Sequence, residues 1–142
     1  MMNTTHDFGK GEVPAHRHKN LSGTVGGWVA DTASVDAAAT VEYDATVSEE
    51  AKVLDDARIQ NGASVSGRAR VSGSAIVTEK AHVGGSAVVC ESALVTLDAV
   101  VTDNAMIGGS MLVAGRILVG GSAELKGSGS IIALQGGEGH AH

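Results

Sequence analysis

Histidine is the side chain in this 142-residue sequence best suited to moving protons or holding a metal, and its six copies are unevenly placed. His82 stands alone in the middle of the chain, while His6, His16, His18, His140 and His142 lie near the ends. An imidazole titrates near neutral pH, so His82 could serve as a general base. His16-x-His18 and His140-x-His142 have the spacing at which two imidazoles of an extended chain can share a metal ion, but neither pair has a third ligand fixed beside it. Lys52, Arg58, Arg68 and Arg70 bring four cations into a short stretch that could hold a small anion. Cys90 has no base nearby, and a thiol without one is a poor nucleophile. Glu49, Glu50, Asp55 and Asp56 form charge clusters rather than a spaced acid and base. Neither a phosphate-binding loop nor an aromatic platform for nucleic acid is present, and no motif calls for a cofactor.

The elements that must position these residues repeat strictly. A branched aliphatic residue recurs every six positions from Val29 through Val35, Val41 and Val47 to Ile131, eighteen times without a miss. Two residues before each stands a small residue, nearly always alanine, with Met111 and Ile117 the large exceptions and Gly27 and Gly129 at the two ends. A period of six is neither helical nor that of a plain strand. It fits a β-solenoid with one short strand per hexad and three hexads per 18-residue coil, hence six triangular coils stacked over about 29 Å. Each Val points inward, and the alanine points inward near a corner where three strands converge. Glycines two positions after the aliphatic residue, such as Gly67, Gly73, Gly85 and Gly109, mark corners where left-handed backbone favours Gly or Asn. The expected organisation is an N-terminal arm or cap at 1–26, the repeat at 27–135 and a flexible tail at 136–142.

Composition agrees. Only Phe8, Trp28 and Tyr43 are aromatic, which suits a thin core of Val and Ala. A net charge of −6 argues against nucleic acid or an anionic membrane as the main partner. A single cysteine excludes an intrachain disulfide framework. With no apolar run of signal-peptide length, it points to the cytoplasm.

Residues 18 apart lie above one another in such a coil. Glu50 then sits below Arg68, Lys52 below Arg70, and His82 between Ser64 and Val100. Trp28, facing outward on the first coil, is expected to pack the arm onto the N-terminal edge. The outward position just before each aliphatic residue changes character along the chain. It is polar at Ser34, Thr40, Thr46, Lys52, Arg58, Ser64 and Arg70, then apolar at Ile76, Val88, Leu94, Val100, Met106, Leu112 and Leu118, broken only by His82. Ile76, Leu94 and Leu112 form one column, joined on the same side by Leu97, Ala114 and Ile132; Val100 with Leu118 and Val88 with Met106 form two more. Columns of this kind call for a partner. A second and third copy by closed symmetry is the simplest one, so a homotrimer or larger assembly is expected with the Ile76–Leu94–Leu112 face at its centre.

The eighteen successive hexads resemble the bacterial hexapeptide-repeat family, whose motif is an aliphatic residue, a small or acidic residue, two variable positions, a small residue and a further variable position. The resemblance covers residues 27–135 and implies a single-stranded left-handed parallel β-helix that usually trimerises. The hand comes from the resemblance alone. The segments Gly26-Gly27-Trp28-Val29-Ala30-Asp31-Thr32-Ala33 and Ala69-Arg70-Val71-Ser72-Gly73-Ser74-Ala75 look like short phage and bacterial repeat proteins. The family's enzymes are mostly acyltransferases, with a loop interrupting the coils and a histidine beside it, or carbonic anhydrases with three metal-binding histidines between subunits. Here the coils run uninterrupted and hold one histidine.

Two functions of different class remain open. The first is a non-enzymatic homo-oligomeric β-solenoid, phage-encoded, acting as a structural or binding module. Its ligand, a small anion or a host protein, would sit between subunits or under the arm near Arg58, Arg68 and Arg70. The second is a divergent acyltransferase using acyl-CoA, with His82 at a subunit interface. An end-to-end polymer similar to the bactofilins is a third possibility.

Overall fold

A computed structural model describes residues 5–9, 11–133 and 139–141. Among them there is no helix, and hence none long and apolar enough to cross a membrane. The chain begins with three strands, β1 (Thr5–Asp7) and the longer β2 (Glu12–Lys19) and β3 (Val25–Ala30), which run antiparallel to one another in succession. Every later strand is two to four residues long, and all stack in parallel.

The result is the β-solenoid expected from the period. Three sheets form its sides. The first carries β1, β2 and β3 followed by Thr46–Val47, Ser64–Val65, His82–Val83, Val100–Val101, Ile117–Val119 and Gly139–Ala141. The second runs from Ser34–Val35 to Glu124–Leu125, and the third from Thr40–Val41 to Ser130–Ala133, six strands each. The register is 18 residues throughout the repeat: Lys52 faces Arg70, Ile76 faces Leu94, and His82 lies between Ser64 and Val100. Within the terminal segment 136–142, Gly139–Ala141 lies parallel to Ile117–Val119 and adds a strand to the first sheet.

The interior is the Ala/Val alternation. From Ala39 to Ala87 every inward alanine and aliphatic residue is fully excluded from solvent. β-Branched side chains fill the flat of each side, and alanine fits the corner where a longer chain would collide. N–H groups on either side of each aliphatic residue donate to the next coil, as Thr40 does to the Ala57 carbonyl and Glu42 to that of Ile59. The ladder therefore binds coil to coil, and its open ends need caps.

The N-terminal arm caps the first coil. β2 covers the first sheet. On the third sheet, the Asn20 side chain replaces a strand: its Oδ1 accepts from Val41 N–H at 3.0 Å and its Nδ2 donates to the Val41 carbonyl at 3.1 Å. His18 Nε2 donates to the Ala39 carbonyl at 2.9 Å beside it. The arm reaches this edge through Gly26 and Gly27, where a Cβ would strike the carbonyls of Val41 and Ala45. That contact explains why glycine begins the alanine series.

The corners correct one expectation. Left-handed backbone occurs not only at glycines but at Glu49, Asp55, Asn61, Glu79, Glu91, Leu97 and Asp103, with φ between 55° and 62°. Four of these acids repay the strain with a hydrogen bond to the coil above. Glu49, Asp55, Glu91 and Asp103 accept from the N–H of Gly67, Gly73, Gly109 and Gly121, each 18 residues later, at 2.7–3.1 Å. An exposed leucine has no such compensation at Leu97.

Candidate functional site

Beyond Trp28, the outward side chains of the first sheet are small in its N-terminal half: Thr46 and Ser64 just before the aliphatic positions, Ala30, Ser48 and Ser66 just after them. Small residues leave room above the sheet, and the β1–β2 hairpin roofs it. Phe8, Gly11, Val13 and Pro14 form the roof of a cavity of about 580 Å³. Its floor and end are Ala30, Asp31, Thr32, Thr46, Ser48, Glu49, Ser64, Ser66 and His82.

Stacking of aromatic rings holds the hairpin in place. The His6 ring lies parallel to Trp28 at 4.8 Å and meets Phe8 edge-on at 4.6 Å. Arg17 sits between Trp28 and Tyr43, 4.7 and 4.0 Å from their ring centres. The three aromatic residues of the chain thus form one row with His6 and Arg17. Trp28 does pack the arm onto the first coil, as its position suggests. The row explains where a chain otherwise without rings spends them: each cation–π contact at a half-exposed site contributes about 0.5–1 kcal/mol.

His82 closes the far end of the cavity. Its Nδ1 lies 2.6 Å from Ser64 Oγ and its Nε2 3.3 Å from Ser66 Oγ. Gly84 permits this pose, since a Cβ there would fall 2.8 Å from Nε2. Partial burial pushes the His82 pKa below its ordinary value, with the Glu49 carboxylate acting in the opposite direction. The neutral ring fits its two hydroxyl partners, donating through one nitrogen and accepting at the other. Both nitrogens thereby have hydroxyl partners within the chain. Among the described residues of the lining, Asp31 and Glu49 are the acidic ones.

The other candidate residues do not all converge. His16 Nδ1 is 2.8 Å from Asp31 Oδ1 at the surface, whereas His18 turns into the third-sheet edge. The register of β2 on β3 shifts between Arg17 and Lys19, and the two imidazoles engage separate partners. His140 lies on the strand paired with Leu118, and His142 is outside the described residues. No group of three or more His, Cys, Asp or Glu among the described residues could hold a metal ion.

Lys52, Arg68 and Arg70 gather with Glu50 and Thr32 around a shallow depression of about 540 Å³ on the second sheet. Arg58 lies on the third sheet, beside Leu21, Asp56 and Ile76. Arg68 Nε meets Glu50 Oε1 at 3.4 Å, with both side chains well exposed, so one of the three gathered cations already has a carboxylate. Burial pushes the Cys90 thiol pKa up, aided by Glu91 and opposed by Lys126, which keeps it protonated and unreactive.

The apolar columns stand in the register read from the sequence. Ile76, Leu94 and Leu112 follow one another on the third sheet, Val88 and Met106 on the second, and Val100 and Leu118 on the first. Stacking half-buries most of these side chains; Leu97, Leu118 and Ile132 are 41 %, 42 % and 52 % exposed. Polar or charged residues bound two of the columns at both ends: Arg58 and Ser130 on the third sheet, Arg70 and Glu124 on the second. The roofed cavity with its serine-bound histidine was not read from the sequence. Its one visible signal is the run of small outward residues on every third hexad from Ala30 to Ser66.

No protein-family model matches the chain, and no curated protein or solved structure matches it either.

Proposed function

We propose that this chain is a homo-oligomeric, left-handed β-solenoid that acts as a rigid structural and binding module rather than as an enzyme. The observation that supports it most is the aligned change from polar to apolar side chains on all three sheets, at Ile76, Val88 and Val100. Apolar side chains in columns on a flat, rigid face form a surface another such face can cover with little loss of conformational entropy. The likeness to short phage and bacterial repeat proteins and the single cysteine extend the reading to a phage-encoded protein of the cytoplasm.

Light scattering on the purified chain at micromolar concentration tests the assembly. A trimer is expected, and Leu94→Lys combined with Leu112→Glu should yield a folded monomer with an unchanged circular dichroism spectrum. A wild-type monomer under these conditions rejects the reading.

A further inference from the structure

The proposed assembly uses the apolar columns and gives no role to the cavity beneath the hairpin. We propose that this cavity binds a small uncharged molecule, an apolar body such as an aromatic ring that carries a hydroxyl.

Its volume of about 580 Å³ is within the ordinary range for small-molecule sites, which are mostly apolar with a few polar groups that fix orientation. Phe8, Val13 and Pro14 supply the apolar roof, and Ala30 adds to the floor. A ring placed between them is removed from water together with the roof, and that burial drives the binding.

The polar groups of the lining fall into two sets. One set already has partners. Asp31 Oδ1 is 2.8 Å from His16 Nδ1, Glu49 Oε1 accepts from Gly67 N–H at 2.8 Å, and Thr32 Oγ1 donates to the Glu49 carbonyl. Ser64 and Ser66 meet the two nitrogens of His82. The other set is Thr46 and Ser48, whose hydroxyls make no hydrogen bond to the described residues. These two flank the inward Val47 and so share the outward face beneath the roof. Ser48 is 9 % exposed, which shields a bond made there from competing water.

A ligand hydroxyl suits this pair, because each of the three groups can donate or accept. A charged group would give up its hydration and receive two neutral hydroxyls and an apolar roof in exchange, which does not offset the loss. A molecule polar on every side, such as a sugar, would leave hydroxyls facing Phe8, Val13 and Pro14 without partners.

Isothermal titration and thermal shift with 2-phenylethanol and 2-naphthol, against 2-phenylethylamine, phenylacetate and glucose, test the site. At least one of the two alcohols should bind at millimolar concentration or better and raise the melting temperature. The amine and the carboxylate, similar to phenylethanol in size, should bind about tenfold more weakly or not at all, and glucose should not bind. Thr46→Val combined with Ser48→Ala removes both free hydroxyls with little change of shape; it should weaken alcohol binding by about two- to tenfold for each bond lost. Ser48→Leu fills the space under the roof and should abolish binding while the circular dichroism spectrum stays that of the wild type. Thr40→Val, at the equivalent outward position on the third sheet, should leave binding unchanged. The proposal fails if neither alcohol binds, if the amine or phenylacetate binds as tightly as the alcohols, or if the protein without both hydroxyls keeps full affinity. None of these outcomes depends on the oligomeric state, so this site and the assembly stand or fall separately.

Discussion

Asn20 closes the third-sheet edge with one side chain, and its removal has a calculable cost. Val41 is fully buried, and its N–H and carbonyl both point out of the first coil toward the arm. Asn20 itself is 6 % exposed. Asn20→Ala strands both Val41 groups, and each unsatisfied buried group costs about 1–3 kcal/mol. Allowing for water to reach one of them, the first coil should lose about 2–4 kcal/mol. Solenoid stability is a sum over neighbouring coils, so the loss should be local rather than global. Amide hydrogen exchange reads it directly. Protection at Val41 should fall about thirtyfold to several hundredfold, since each 1.4 kcal/mol is a factor of ten, while Val95 and Val101 stay as in the wild type. Asn20→Asp keeps an oxygen before the Val41 N–H but turns a carboxylate oxygen toward the carbonyl, so it should do no better than alanine at neutral pH. Unchanged protection of Val41 in Asn20→Ala would refute the idea that this amide stands in for a strand.

Two further outcomes follow from single residues. The His82 imidazole is held below its ordinary pKa in the folded chain, so the unfolded chain binds more protons as the pH falls past the ordinary value of 6.5. The wild type should therefore lose stability from 6.5 down to the depressed folded value, and His82→Gln should lack that part of the slope; equal urea midpoints in both proteins across that range would remove His82 as its source. Leu97 holds φ at 62°, a conformation that costs a leucine about 1–2 kcal/mol. Leu97→Asn should raise chain stability by about 0.5–1 kcal/mol in denaturant titration and weaken self-association, and a destabilised variant would contradict the strain assigned there.

The repeat was legible in the sequence because its physics is one-dimensional. One inward aliphatic residue and one alanine per hexad decide the coil, and the 18-residue register follows by counting, as the pairing of Ile76 with Leu94 shows. The corners were legible only in part. Glycine at Gly67 and Gly73 announces a left-handed residue by type, but Glu49 and Asp55 do so only through the glycine 18 positions later whose N–H they accept. The arm was the least legible. Its strands have no period, its path depends on the clearance at Gly26 and Gly27, and its register on β3 slips between Arg17 and Lys19. The cavity needs that path before Phe8 and His82 can line one space, and no spacing between two residues 74 apart encodes it.

The arm and the apolar columns act on different surfaces of the same prism, and together they restrict how copies can meet. An end-to-end filament needs strand edges at both ends. At the N-terminal end β2 occupies the first-sheet edge, and His18 and Asn20 occupy the third. At that end the outermost strands of the three sheets are β1, Ser34–Val35 and Thr40–Val41, the last met by the His18 and Asn20 side chains. Polymerisation in the manner of the bactofilins would therefore have to displace the arm and break the aromatic row that anchors it. Contact through the columns, as proposed, would run sideways instead. On the second and third sheets it stops at Arg70 and Glu124 and at Arg58 and Ser130, so a copy sliding along the axis would bury a charge or a polar group within about two coils, roughly 10 Å. A closed ring of three uses two different faces of each protomer and leaves one of the three columns outside. The third-sheet column is the longest and Leu97 and Ile132 extend it, which favours it as the inner face of the proposed ring. Val88 and Met106, hemmed by charge at both ends, are the ones an assembled ring would still present to a different protein.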